Sequence, residues 1–316
     1  IPQKVQISIV TDKNDKDLIR QIKRSGATEI SLSPDAKEIA FVLRGDVYVT
    51  STEYSTTKQI TNTPQQERDI HFSPDGRSIV YASERNGLWQ IYQTSLAKKE
   101  EKQFAYATDI KEERLTNSDI TSFQPQYSPD GKEVAFLENR TTIRVLNLKS
   151  KAVRTVMDGN YEYSYSDGDQ WYQWSPDSKH ILYTDRKNRI VEVDPFAKTK
   201  RTVLQCPEQE LRDVEYSPDS KWLTYSRPAP NKMSVVYVYN LASAKEYPVT
   251  EKWYDSSSPT FSTDGKYLIF TSDRDFRPIY SWIEWNFAYT DRSGVYMTML
   301  AAGTPSPLLP TDSESV

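Results

Sequence analysis

The sequence predicts an all-β protein, a β-propeller of four-stranded blades. Three observations carry this prediction. One turn phrase is written six times, its copies lie 40–55 residues apart, and the composition favours pleated surfaces. The copies read SPDAKEIAFVL, SPDGRSIVYAS, SPDGKEVAFLE, SPDSKHILYTD, SPDSKWLTYSR and STDGKYLIFTS, starting at Ser33, Ser73, Ser128, Ser175, Ser217 and Ser262. Their spacings of 40, 55, 47, 42 and 45 residues fit a propeller or a solenoid. With 21 Tyr, 10 Phe and 7 Trp, aromatic residues supply much of the material for a core, and such residues favour strands.

The content of each unit selects the propeller. Before each phrase stands a short strand-like piece: TEISL, RDIHF, SFQPQY, QWYQW, RDVEY or SSPTF. A second strand follows the turn: EIAFV, SIVYA, EVAFL, HILYT, WLTYS or YLIFT. A third reads DVYVT, WQIYQTSL, TIRVLNL, RIVEVD, VVYVYNL or GVYMTML, and a fourth KQITN, ERLTN, VRTVM, KRTVL, KEYPVT or PSPLLP. Four short strands joined by polar turns describe a propeller blade. In Ser-Pro-Asp-Gly the proline fixes φ at the first corner, the aspartate bonds back to the backbone, and the last residue takes the left-handed corner. The phrase is therefore the hairpin between the first two strands of every blade, and its aspartates are structural.

The blades begin near residues 28, 68, 121, 170, 211 and 257, so 26–316 is expected to hold six complete blades. Residues 1–25 are left over. Within them VQISIV (Val5–Val10) and DLIRQIK (Asp17–Lys23) read as the third and fourth strands of a partial seventh blade, whose inner strands would follow Val316. The alternative is a closed six-bladed ring with an N-terminal extension. The start at Ile1 rather than Met reads as a fragment of a larger protein.

Charge and motif content narrow the chemistry. The 40 basic and 44 acidic residues are mixed along the chain, which argues against a nucleic-acid face. No apolar run approaches the length of a membrane span. A single cysteine, Cys206, rules out an internal disulfide framework and reads as a small buried hydrophobe. The only histidines, His71 and His180, occupy ordinary strand positions. No nucleophile elbow, zinc-peptidase motif, phosphate loop or calcium loop occurs, so no catalytic residue, metal or cofactor is assigned.

Two features point to binding. The segments entering the inner strands carry charge and aromatics, and in a propeller they gather at one mouth of the central channel. They would place Arg68, Asp69, Asp119, Asp169, Trp171, Arg212, Asp213, Tyr254 and Asp255 around that rim, a mixture suited to a peptide. The insertion Asp275–Gly294 in the sixth blade holds Tyr280, Trp282, Trp285 and Phe287, an aromatic density expected at an interface.

The ordered series of phrases resembles the propeller of the Tol-system translocation protein. More closely, it is similar to the second, seven-bladed propeller of tricorn protease and its bacterial homologues. The likeness runs from SLSPDAKEIAFVLRGDVYVTS through YSYSDGDQWYQWSPDSKHILYTD to DGKYLIFTSDRDFRPIYSWIEWNFAYTDRSGVYMTML. It implies a non-catalytic domain of a serine peptidase that trims oligopeptides, with the propeller serving peptide access, filtering and interdomain scaffolding. The catalytic serine and histidine and a PDZ module would lie in downstream domains of the same polypeptide, so none maps onto this chain. The resemblance also implies a homo-oligomer without membrane contact, in the cytoplasm for a tricorn relative and the periplasm for a Tol-type one. Two other functions remain open on the residues alone. One is a stand-alone protein-binding propeller. The other is a propeller glycosidase, which would need two carboxylates facing each other about 5–9.5 Å apart.

Overall fold

The computed structural model describes residues 22–159, 169–207, 211, 213–275, 278–280, 287–289 and 291–309. Six antiparallel sheets follow one another along the chain, each with its strands in simple sequence order. The first holds Ala27–Leu32, Glu38–Leu43, Asp46–Ser51 and Thr57–Gln59, and the second Glu67–Phe72, Ser78–Arg85, Leu88–Leu96 and Ile110–Arg114. Ser122–Tyr127, Glu133–Glu138, Thr142–Asn147 and Val153–Met157 make the third, and Tyr172–Trp174, Ile181–Thr184, Arg189–Val193 and Lys200–Gln205 the fourth. The fifth contains Glu215–Tyr216, Trp222–Pro228, Ser234–Asn240 and Lys245–Pro248. The sixth sheet has three strands, Ser256–Phe261, Tyr267–Asp273 and Ser293–Met299. These are the blades of a β-propeller, whose first strands line the axis.

One element departs from the reading of six complete blades. PSPLLP was assigned as the fourth strand of the sixth blade, but its described part, through Leu309, forms turns, with Leu308 and Leu309 exposed. Three prolines in six residues remove the N–H groups a ladder needs. Residues 1–21, which hold most of the two strand-like pieces assigned to a partial seventh blade, lie outside the described residues. The sixth-blade insertion contributes a separate hairpin, Pro278–Tyr280 paired with Phe287–Tyr289. No helix among the described residues is long and apolar enough to cross a membrane.

The repeated turn is built identically in all six blades. In the second, Ser73 Oγ donates to Asp75 Oδ1 at 2.6 Å, and the same carboxylate accepts the Arg77 N–H at 3.0 Å. Ser73 Oγ also accepts the Ser78 N–H at 2.9 Å, and Ser73 N–H closes the hairpin on Ser78 O. The fourth residue is left-handed throughout: Ala36, Gly76, Gly131, Ser178, Ser220 and Gly265 have φ of 57–71°. Successive turns also touch. A Cβ on Gly76 would stand 3.7 Å from Pro34 Cδ, and one on Gly131 would stand 3.8 Å from Pro74 Cδ. Where the residue is serine, the contact becomes a hydrogen bond: Ser178 Oγ accepts the Asp130 N–H at 2.9 Å, and Ser220 Oγ accepts the Asp177 N–H at 3.2 Å. The phrase thus shapes each hairpin and joins it to the blade before.

The core lies between blades. Alternation in the second strand sends Ile79 and Tyr81 to the first blade, where they meet Ala40, Val42, Val47 and Val49. Val80 and Ala82 point the other way, against Tyr127, Val134 and Phe136 of the third. Similar layers join blades three and four, four and five, and five and six. The two ends of the series differ. Ile30 (76% exposed) and Leu32 (56%) on the first blade, and Val295 (77%) and Met299 (49%) on the sixth, face solvent on sides that a ring closed on six blades would bury.

Candidate functional site at the inner strands

Four inner strands carry a register shift: those of the first, second, third and sixth blades. In three of them a non-glycine residue takes positive φ beside the shift: Asp69 (57°), Gln124 (48°) and Ser258 (51°). A bulge breaks the ladder locally and re-aims backbone and side chain. Here the freed groups bond across blades. Glu29 Oε2 of the first blade accepts the Asp69 N–H at 2.5 Å and the Ile70 N–H at 3.4 Å. Asp69 Oδ2 of the second accepts the Gln124 N–H at 2.9 Å. Gln124 Nε2 of the third donates to Asp169 Oδ2 at the entry to the fourth, at 3.1 Å. Tyr172 closes the run by donating to Gln124 O and, at 3.1 Å, to Ala135 O. Each of the first three blades thus hands a side chain to the backbone or side chain of the next.

Beside this relay lies a stack of cations and rings. The Arg68 guanidinium carbon sits 4.5 Å from the Trp89 ring and 4.5 Å from the Phe123 ring. Arg140 is 4.9 Å from the same Phe123 ring and donates to Asp169 Oδ1 at 2.9 Å. Arg68 Nε is 3.5 Å from Asp69 Oδ2, and the buried Nε and Nη2 of Arg68 make no hydrogen bond. Burial, and then the neighbouring Asp69 charge, push the Glu29 carboxyl above its ordinary range. Burial likewise raises Asp69, against the opposing Gln124 N–H and Arg68. The site therefore alternates guanidinium, ring and carboxylate over a few residues at the end where the chain enters the inner strands.

The structure brings Arg68, Asp69 and Asp169 together. It does not place the other rim candidates in this network. Asp119 is exposed on its loop. Trp171 is partly buried against the core layer between blades four and five. Asp213 accepts the Ser226 N–H and hydroxyl, fixing the entry to the fifth blade. Tyr254 lies under the Arg274 guanidinium at 5.3 Å, and Asp255 accepts the Ser234 N–H at 2.9 Å. Arg212, Trp282 and Trp285 lie outside the described residues, and Tyr280 pairs with Phe287 in the insertion hairpin.

Sequence reasoning missed Glu29, Trp89, Phe123, Gln124 and Arg140. Glu29 and Gln124 sit one and two residues into the quoted inner strands, a shared position that comparison of the repeats could have singled out. Trp89 stands at the start of the third strand of the second blade and Arg140 in the second-to-third strand connection of the third, and neither carries a local signal. His71 is packed 6.2 Å from the Tyr127 ring, and burial pushes its protonation below the usual histidine range.

Comparison with known proteins agrees with the propeller fold. Residues 14–166 match the family model described as the TolB β-propeller domain, and residues 167–316 match that of the tricorn protease second β-propeller domain. Tricorn protease homolog 1 of Streptomyces coelicolor is 29% identical over 136 residues, 43% of this chain and 13% of that protein. The Tol-Pal system protein TolB of Francisella tularensis subsp. mediasiatica is 30% identical over 211 residues, 64% of this chain and 44% of that protein. The crystal structure of TolB from Acinetobacter baumannii superposes with a TM-score of 0.50 at 16% identity, covering 77% of this chain and 59% of that one. The chain thus spans less than half the length of these two curated relatives. It is a β-propeller whose first half is similar to the TolB propeller domain and whose second half is similar to the second tricorn propeller.

Proposed function

We propose that this propeller is a non-catalytic domain of a tricorn-like serine peptidase, and that it admits extended peptides along its inner strands toward catalytic and PDZ domains of the same polypeptide. The observation that carries the reading is the Arg68–Trp89–Phe123–Arg140 stack bordered by Asp69 and Asp169. Guanidinium groups held on ring faces offer hydrogen-bond donors to peptide carbonyls and carboxylates, while the part-exposed Trp89 accepts apolar side chains and the buried Phe123 backs the stack. Glu29 and Asp69 are committed to backbone N–H groups and Asp169 to the Gln124 and Arg140 side chains, which suits positioning and leaves them poorly placed for acid–base chemistry. As a domain it also scaffolds its neighbours, in a cytoplasmic assembly of several copies.

The experiment is isothermal titration of the purified protein with neutral nine-residue peptides, with mass spectrometry of the peptide afterwards. Weak binding, intact peptide, and at least a tenfold loss with Arg68→Glu plus Arg140→Glu are expected, since two contacts at about 1 kcal/mol each amount to about thirtyfold. Unchanged binding in the double variant removes the stack from the proposed site, and cleavage of the peptide overturns the non-catalytic reading. A second reading, a periplasmic stand-alone propeller that binds proteins, is favoured by the TolB match over residues 14–166. It predicts a native polypeptide near 36.5 kDa on an immunoblot, whereas the first reading predicts a much heavier one.

A further inference from the structure

The outer part of the fifth blade carries a polar surface that the inner-strand reading does not use. A cavity of about 450 Å³ opens where the connection between that blade's second and third strands meets the segment entering the sixth. Arg227, Lys232 and Lys252 stand around it, with Pro228, Pro230 and Tyr237 completing the wall, and no acidic group among the described residues lines it. The nearest carboxylates are already engaged. Glu246 is paired with Arg227, which also lies 4.7 Å over the Tyr237 ring, and Asp255 accepts the Ser234 N–H. The ion pairs of this blade use Arg227 and Lys221, leaving Lys232 and Lys252 uncommitted among the described residues.

The surface is also preformed. Asn231 Nδ2 donates to Lys252 O at 2.8 Å, tying the two segments together. The Lys232 N–H bonds Ala229 O and the Ala229 N–H bonds Met233 O, both at 2.8 Å, closing a tight turn with Lys232 at φ 71°. Next to the lysines, Trp253 is 81% exposed and Met233 39% exposed. A cross-tied turn that offers two unpaired ammonium groups beside a solvent-facing indole costs little ordering when a ligand arrives.

We propose that this surface binds an acidic peptide carrying a bulky apolar side chain. The peptide's carboxylates would pair with Lys232 and Lys252, and its apolar side chain would cover Trp253 and the proline wall. The complementarity is electrostatic and apolar at once, as at interfaces where a charged rim surrounds an aromatic anchor. The inference shares with the preceding section only the class of ligand. The residues differ, so the two readings fail separately.

The test is fluorescence anisotropy of the purified protein with a fluorescein-labelled ten-residue peptide of glutamates and one leucine, beside a lysine-for-glutamate control. Binding of the acidic peptide alone is expected, weakening as salt rises. Lys232→Glu with Lys252→Glu is expected to weaken it about tenfold or more. Trp253→Ala, at a position with little packing to lose, is expected to weaken it severalfold. Arg24→Glu with Arg186→Glu, the same change of charge at exposed arginines outside both sites, should leave it unchanged. Loss of binding in the Arg68/Arg140 variant but not in the lysine variant would overturn the proposal while leaving the inner-strand site standing. Absence of acidic-peptide binding, or equal competition by inorganic phosphate at matched charge concentration, would overturn it as well.

Discussion

Glu29 shows how one side chain can serve architecture at a cost. Its carboxylate accepts two backbone N–H groups of the second blade, yet it is half-buried beside Asp69, and burial and that charge raise its pKa. A carboxyl raised in the folded state contributes stability while protonated, below its unfolded value, and that contribution is lost as pH rises through the folded value. At neutral pH the ionised pair therefore opposes folding. Glu29→Gln keeps an acceptor for both N–H groups and removes the repulsion. The variant should melt about 2 °C higher at pH 7.5, and the difference should vanish in melts below the ordinary carboxyl range. A variant that melts lower at pH 7.5 would mean that the charge itself strengthens the N–H bonds by more than the repulsion costs.

At the scale of the element, the hairpin and the second strand explain most of what the sequence made legible. The turn is local: Ser, Pro, Asp and a left-handed residue close it with bonds spanning at most five positions, so six copies could be read without knowing the fold. Stability should follow burial across each blade. Leu137, fully buried in a second strand, should cost about 2–5 kcal/mol as Leu137→Ala. Val153, 47% exposed in a fourth strand, should change stability by about 0.5 kcal/mol or less as Val153→Ala. Urea unfolding of the two variants checks the contrast, and equal losses would refute the layered core. The bulges were not legible. Positive φ at Asp69 and Gln124 is held by partners about 40 to 55 residues away, and no local signal announces such a bond. Trp171 shows a related limit: aromatic density near a strand entry looks the same in sequence whether it lines a rim or packs on the layer between blades. The fourth strand of the sixth blade failed on its prolines, a signal the sequence did contain.

For the whole molecule, the order of the repeats carried the fold, while the candidate site emerged only where consecutive blades meet. Arg68, Asp69 and Asp169 were legible as charged residues at strand entries, whereas Trp89, Phe123 and Arg140 join them through contacts between the second and third blades. Peptide admission along the inner strands is tested most plainly by photo-crosslinking. A nine-residue peptide with one benzophenone side chain would be irradiated with the purified protein, and the adducts mapped by peptide sequencing. Adducts are expected at the entry end of the inner strands, around Arg68, Phe123, Arg140 and Asp169. Adducts confined to the opposite end, on the Ser-Pro-Asp turns around Pro34, Pro74 and Pro218, would contradict it.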